Sequence, residues 1–352
     1  MDKQYKELLE TLLVKGYWYD DPNRVGTKRL QINDYKITHN FEEGFPVLTT
    51  KKTYYKGAFG ELLSFLRGET NLKNLHNNGV KFWDKDGYNY YRKLCKDNNW
   101  IPLSFEDYIK AVEENGLYGN NIVLKLGLGK LGKIYPYQMR KWNGQIDQIK
   151  NLIKTLQENP VATKKTVTMW NPSDLKDSAL SPCHWSFECL VTPLSESYEG
   201  VLFDLGSNEP KQTIWKSPKY GLIIKWHQHS VDCFLGLPLN IIYYSLLCYI
   251  LCELCNLKPL GIIGDLSNVH LYDNAVEGAK EQLKREEYKL PTFKFSEKAK
   301  ILFKKYKGSE PKDYGYYDNL DNVLSALTVD DFIIENYESH PTIKVEMLPY
   351  KK

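Results

Sequence analysis

The sequence predicts a mixed α/β (α+β) domain organised around a substantial β-sheet. Three observations carry that expectation. Apolar residues recur at helical spacing in separate windows, and strand-like runs rich in β-branched and aromatic residues lie between them. The longest apolar run, Cys233 to Cys252, carries no charged side chain, yet Gly236, Pro238 and Asn240 interrupt its start. Its uninterrupted part is too short to span a bilayer and reads as a buried core helix.

The elements follow in order. Tyr5, Leu8, Leu9, Leu12 and Leu13 put one apolar stripe on a helix over 2–15, and Asp34 to Phe41 alternates as a strand. Ala58 to Leu66 reads as a buried helix, with Leu72 and Leu75 on a shorter one after it. Ile146, Ile149, Leu152, Ile153 and Leu156 repeat at helical spacing. Residues 166–170, 185–191 and 222–227 have strand composition. Interleaved helices and strands pack as layers on a sheet. Residues 86–130, 193–219 and 289–327 are polar or rich in Gly and Pro, and read as additions to one domain spanning 1–352.

Composition excludes more than it selects. Hydrophobic residues make up 42% and charged residues 26% of 352, as in ordinary globular chains. Net charge is +3, from 47 basic and 44 acidic side chains, too balanced to argue for nucleic-acid binding. No secretory signal is expected, because the N-terminus starts charged and turns into an amphipathic helix. Cys248, Cys252 and Cys255 lie at i, i+4 and i+7, a packing pattern rather than a disulfide framework, so a reducing, cytoplasmic setting is expected. His227-Gln228-His229 has the look of a metal pair on one strand face, but a third ligand is missing and no metal is expected.

The chemistry-bearing motifs are Ser181-Pro182-Cys183-His184 after Thr168-Met169-Trp170-Asn171-Pro172, Gly44-Phe45-Pro46-Val47-Leu48-Thr49-Thr50-Lys51, and Leu235-Gly236-Leu237-Pro238-Leu239-Asn240. With Asn23-Arg24-Val25-Gly26-Thr27, Asn78 to Asp84, His270-Leu271-Tyr272 and His340-Pro341-Thr342-Ile343-Lys344, they occur in the order and spacing of one family. The chain resembles the thymidylate synthases and pyrimidine nucleotide hydroxymethylases over about two-thirds of its length. The resemblance implies a three-layer domain on a bent mixed sheet whose faces form a homodimer. It also implies transfer of a one-carbon unit from 5,10-methylenetetrahydrofolate to C5 of dUMP, with no membrane and no nucleic acid required.

C5 of uracil is a poor nucleophile, and a thiolate adding at C6 makes it an enolate carbon able to attack an electrophilic methylene. By resemblance Cys183 is that nucleophile, and His184 points to the opposite face of an extended segment. Glu61 organises water and proton transfer, Tyr135 lies near the C5 proton, and Asn240 pairs with the O4 and N3–H edge of uracil. Arg24, Gln228, His229 and Ser230 serve the nucleotide and its phosphate, and His270 and Tyr272 hold the deoxyribose 3′-hydroxyl. Trp83 and Asp232 contact the folate pterin, and Lys51 lies near the folate tail. Read without the resemblance, Glu61 is an exposed helix residue, Asn240 a helix N-cap after Pro238, and Trp83 a core aromatic.

Two departures stand out. The family's phosphate-binding arginine before Ser230 is here His229, and the arginine pair donated by the partner subunit aligns with Thr163 and Lys164, with Lys165 next. Lysine supplies charge without the planar fork. Either another residue compensates, or nucleotide binding is weaker and more pH-sensitive. The chain also continues past the His340 block through Glu346-Met347-Leu348-Pro349 to Lys352, where the synthases place the carboxylate that closes the site. Admission of water would convert the methylene intermediate to a 5-hydroxymethyl group. The leading expectation is therefore a phage-type dUMP hydroxymethylase releasing tetrahydrofolate. The rivals are a thymidylate synthase making dTMP and dihydrofolate, and a silent binding homologue. Asn240 selects uracil, because the cytosine-specific hydroxymethylases carry aspartate there.

Overall fold

The computed structural model describes residues 1–21, 26–115, 127–195, 199–204, 211–308 and 318–345. Helix α1 (Asp2–Lys15) buries Tyr5, Leu8, Leu9 and Leu12, the expected stripe. It stops at Gly16, where any added Cβ would lie 2.5 Å from the Leu12 carbonyl and 2.7 Å from Leu30. The chain then folds back through β1 (Tyr17–Asp20) and β2 (Lys28–Asn40). Strand β2 begins earlier than the alternation at Asp34 suggests. It pairs with β9 from Arg29 to Asn40, and that ladder holds its polar first half extended.

Helix α2 (Tyr55–Leu66) buries ten of its twelve residues, Glu61 among them. Then come α3 (Leu72–Asn77), α4 (Asp84–Asp97), α5 (Phe105–Asn115), α6 (Tyr135–Lys141) and α7 (Gln148–Glu158). Ile146 lies outside α7, because the Asp147 carboxylate accepts the Lys150 amide at 2.9 Å and starts the helix after it. The main sheet runs β1-β2-β9-β7-β4-β3, with β3 (Thr166–Thr168), β4 (His184–Pro193), β7 (Tyr220–Gln228) and β9 (Lys258–Tyr272). The short β8 (Val231–Asp232) lies beside β9. Pairings of β9 with β7 and β8 are parallel and the others antiparallel, so the fold class is mixed α/β as expected.

A parallel β7–β9 pair needs a crossover, and α8 (Leu237–Cys255) supplies it. Fifteen of its nineteen residues are buried, so the membrane-like run is a core helix packed on α2 and the sheet. Each Leu or Ile it buries contributes roughly 1.5–3 kcal/mol. All seven cysteines are thiols and six are buried, Cys248, Cys252 and Cys255 included; Cys183 alone is half-exposed.

The additions carry regular structure. Helices α4 and α5 occupy much of 86–130, with Tyr91 stacked on Tyr108 at 4.9 Å. Strands β5 (Glu199–Asp204) and β6 (Lys211–Lys216) form a hairpin within 193–219. Past α9 (Val276–Leu283), strand β10 (Thr292–Phe295), α10 (Glu297–Gly308) and α11 (Asp318–Ala326) lie within 289–327, and β10 pairs with β11 (Phe332–Glu335). Arg67, following α2, donates to the Leu324 and Leu327 carbonyls and so ties this addition to the end of the Glu61 helix.

Candidate active site

Cys183 precedes β4, held at the backbone from two sides. Its amide donates to the Tyr135 hydroxyl at 2.7 Å, and its carbonyl accepts the His229 amide at 3.0 Å. A thiol placed this way is fixed by its peptide units while the sulfur stays half-exposed. His184 goes the other way, buried against the Tyr135 ring at 4.3 Å and bonded to the Tyr244 hydroxyl at 2.7 Å. Burial pulls its pKa down to about 3, so the ring is neutral near pH 7 and serves as packing rather than as an acid.

Tyr135 also stacks on Phe65 and meets the edge of Trp83. Burial, then the neighbouring Cys183, push its pKa well up. Its hydroxyl therefore keeps its proton, accepting from Cys183 with an oxygen lone pair while retaining an O–H to donate. Beyond it, Glu61 accepts the Trp83 indole N–H at 2.6 Å. Burial raises the Glu61 carboxyl to about 7, against the opposing indole bond. A group poised there can both take and release a proton at neutral pH. Trp83 is thus more than a core aromatic, and Glu61 is not an exposed helix residue.

The residues expected to read the base lie at the start of α8. The helix is capped at Gly236 without a side-chain bond, so Asn240 is not the N-cap that Pro238 suggests but a first-turn residue. Its Oδ1 accepts Gln228 Nε2 at 3.2 Å; the same nitrogen donates to the Ser230 carbonyl, and Gln228 Oε1 accepts the Trp226 indole at 3.2 Å. With Gln228 occupying the carbonyl oxygen, the Asn240 amide orientation is set, and its NH₂ is the group available to a pyrimidine O4. Asp232 accepts the Phe234 and Leu235 amides at 3.0 Å and pairs across the ladder with His270.

His270 and Tyr272, expected at the sugar, sit edge to face at 5.1 Å on one face of β9. His229 packs on Trp170, and burial lowers its pKa, so near pH 7 it contributes little positive charge. Arg24 lies outside the described residues, as does the tail from 346 to 352. Lys164 is exposed, whereas Lys165 is buried with its ammonium on the Pro160 carbonyl. Lys51 is buried too: its ammonium donates to the Phe234 carbonyl and covers the Phe234 ring at 3.5 Å, and burial lowers its pKa to about 8. The structure therefore brings Cys183, Tyr135, Trp83 and Glu61 into one chain of contacts, and Gln228, Ser230 and Asn240 into another. Lys164 and Lys165 stand by β3, at the far edge of the sheet from β2.

Sequence reasoning missed a third group. Asn268, in the left-handed region at φ 51°, donates to the His229 carbonyl at 2.8 Å and accepts from Gln31 at 3.2 Å. Gln31 accepts from Arg29 at 3.0 Å, and Arg29 pairs with Asp21 at 2.8 Å. The period-two step 268, 270, 272 is readable along the strand, but its partners on β2 depend on cross-strand register. For a folate, the half-buried Asp232 carboxylate fits in kind, since it can accept pterin N–H groups, while Trp83 is buried against Phe65 and Tyr135.

A family model described as thymidylate synthase matches residues 3–349. The chain is 32% identical over 342 residues to the thymidylate synthase of Malacoplasma penetrans (strain HF-2), covering 97% of this chain and 98% of that one. It is equally 32% identical over 345 residues to a probable thymidylate synthase of Escherichia phage T5, covering 98% and 99%.

Proposed function

The chain belongs to the thymidylate synthase family of one-carbon transferases, and from that premise we propose that it methylates dUMP reductively to dTMP. The observation that carries this reading is the contact series Cys183–Tyr135–Trp83–Glu61: a positioned thiol, a protonated phenol and a carboxyl poised at about 7. Cys183 adds to C6, Tyr135 holds its O–H near the C5 proton, and Glu61 exchanges protons with the pyrimidine end through water. Methylenetetrahydrofolate supplies the one-carbon unit and, for methylation, the hydride. Asp232 would hold it, and Gln228 with Asn240 would read the uracil edge.

Hydroxymethylation is the second reading, favoured by the chain continuing past His340. Against it, both relatives named as synthases align over nearly the whole chain, so length and insertions do not separate the two outcomes. A homodimer across the sheet's open face, where Trp185 and Leu190 are 38% and 37% exposed, belongs to the same proposal, as does a cytoplasmic setting. The test is product identity after incubation with dUMP and methylenetetrahydrofolate. dTMP with dihydrofolate is expected, and 5-hydroxymethyl-dUMP with tetrahydrofolate would overturn the methylation reading. Asn240→Asp should move the dUMP/dCMP preference toward dCMP by about tenfold or more, since a carboxylate accepts from the cytosine amino group, whereas the amide as Gln228 orients it turns its own NH₂ toward that position. An unchanged kcat/KM ratio would remove Asn240 from base reading.

A further inference from the structure

We propose that Arg29 binds the nucleotide phosphate and replaces the charge that the site lacks at His229; this rests on dUMP being the substrate. Arg29 lies directly opposite Tyr272 in the β2–β9 ladder, and Gln31 opposite His270. Directly opposed residues share a sheet face, so the guanidinium stands on the face of the sugar pair. It is held there at two points. Nη1 meets Asp21 Oδ2 at 2.8 Å, and Nε donates to Gln31 Oε1 at 3.0 Å. Tyr272 reaches the same Asp21 oxygen at 3.5 Å, so the arginine, its carboxylate and the sugar-binding tyrosine form one cluster.

That cluster is connected to the phosphate position. From Arg29, hydrogen bonds run through Gln31 and Asn268 to the His229 carbonyl, beside Ser230. Asp21, the carboxylate that holds Arg29, also donates its amide to the Thr27 carbonyl at 3.0 Å. An arginine has five N–H donors in a rigid fork; two of them hold it in place here. Its side chain is 22% exposed, buried enough to be positioned and open enough to meet a ligand. His229 is kept near neutrality by burial, and Lys164 stands by β3 at the opposite edge of the sheet from β2. Within one chain, then, Arg29 brings an always-protonated guanidinium to the sugar face, with Asp21 offsetting part of its charge and its remaining N–H donors left to meet a phosphate.

The bland alternative is an arginine that merely pairs with Asp21. Comparing dUMP with deoxyuridine separates the two, because only the nucleotide carries the phosphate. Binding of both should be measured by titration calorimetry for the wild type, Arg29→Ala and Arg29→Lys. The expected result is a loss of about ten- to a hundredfold in dUMP affinity for Arg29→Ala. Deoxyuridine should change less than about twofold, and Arg29→Lys should recover part of the loss. Equal weakening of both ligands would assign Arg29 a structural role and overturn the proposal, as would an unchanged dUMP affinity. If Arg29→Ala does not fold, Arg29→Lys carries the same test: weaker dUMP with unaltered deoxyuridine supports it, and parallel changes sink it. Wild-type protein that binds dUMP no better than deoxyuridine would instead remove the substrate reading itself.

Discussion

Cys183→Ser should abolish turnover while leaving dUMP binding within about threefold of wild type. The hydroxyl oxygen is far less nucleophilic than a thiolate, and its neighbours His184 and Tyr135 are poor bases: His184 faces Tyr244 with its pKa pulled down to about 3, and the Tyr135 hydroxyl already accepts the Cys183 amide. The two short positioning bonds, at 2.7 and 3.0 Å, run through the peptide, so the variant keeps its local geometry. A fall in kcat of at least about 10⁴-fold is expected from loss of a covalent pathway. Residual activity above a few per cent would show that addition at C6 does not start at Cys183.

Glu61→Gln should lower kcat by about 10²–10⁴-fold with a smaller effect on dUMP affinity, because proton exchange is lost while shape is kept. The amide oxygen can still accept the Trp83 indole bond, so α2 stays in place. The same substitution has a stability signature. Burial raises the Glu61 carboxyl from 4.5 to about 7, so the native state holds its proton more tightly than the unfolded chain does. The stabilisation is fully present below about pH 4.5 and is lost as pH rises through about 7. It amounts to roughly 3 kcal/mol. Glutamine does not titrate, so the variant should gain on the wild type by up to that amount between pH 4.5 and pH 8. Urea midpoints at the two pH values measure it, and parallel curves would show that Glu61 is not buried as described.

Much of the fold is legible in the sequence where one element decides its own form. The stripe from Tyr5 to Leu12 makes α1, and the charge-free run after Pro238 makes the core helix that a parallel β7–β9 pair requires. Local rules fail where a side chain outranks the periodicity, as at Asp147, which caps α7 and starts it at Gln148, two residues after Ile146. The site is legible where a motif names chemistry, at Cys183 and Asn240. It is not legible where function depends on burial or register. Glu61 owes its poise to a dry helix face whose burial outweighs the opposing Trp83 bond, and the Arg29–Gln31–Asn268 series exists only after β2 and β9 align. Asn240 shows both sides: its place before an apolar helix is readable, but its first-turn position and its bond to Gln228 are not.

The central claim is that Cys183 attack activates C5 of dUMP for folate-dependent transfer. Release of tritium from C5-labelled dUMP, measured with and without methylenetetrahydrofolate, tests it most directly and is independent of which product forms. The account predicts release that depends on the folate with wild-type protein and falls to background with Cys183→Ser. Wild-type protein that binds dUMP and the folate yet leaves the C5 label in place would contradict it.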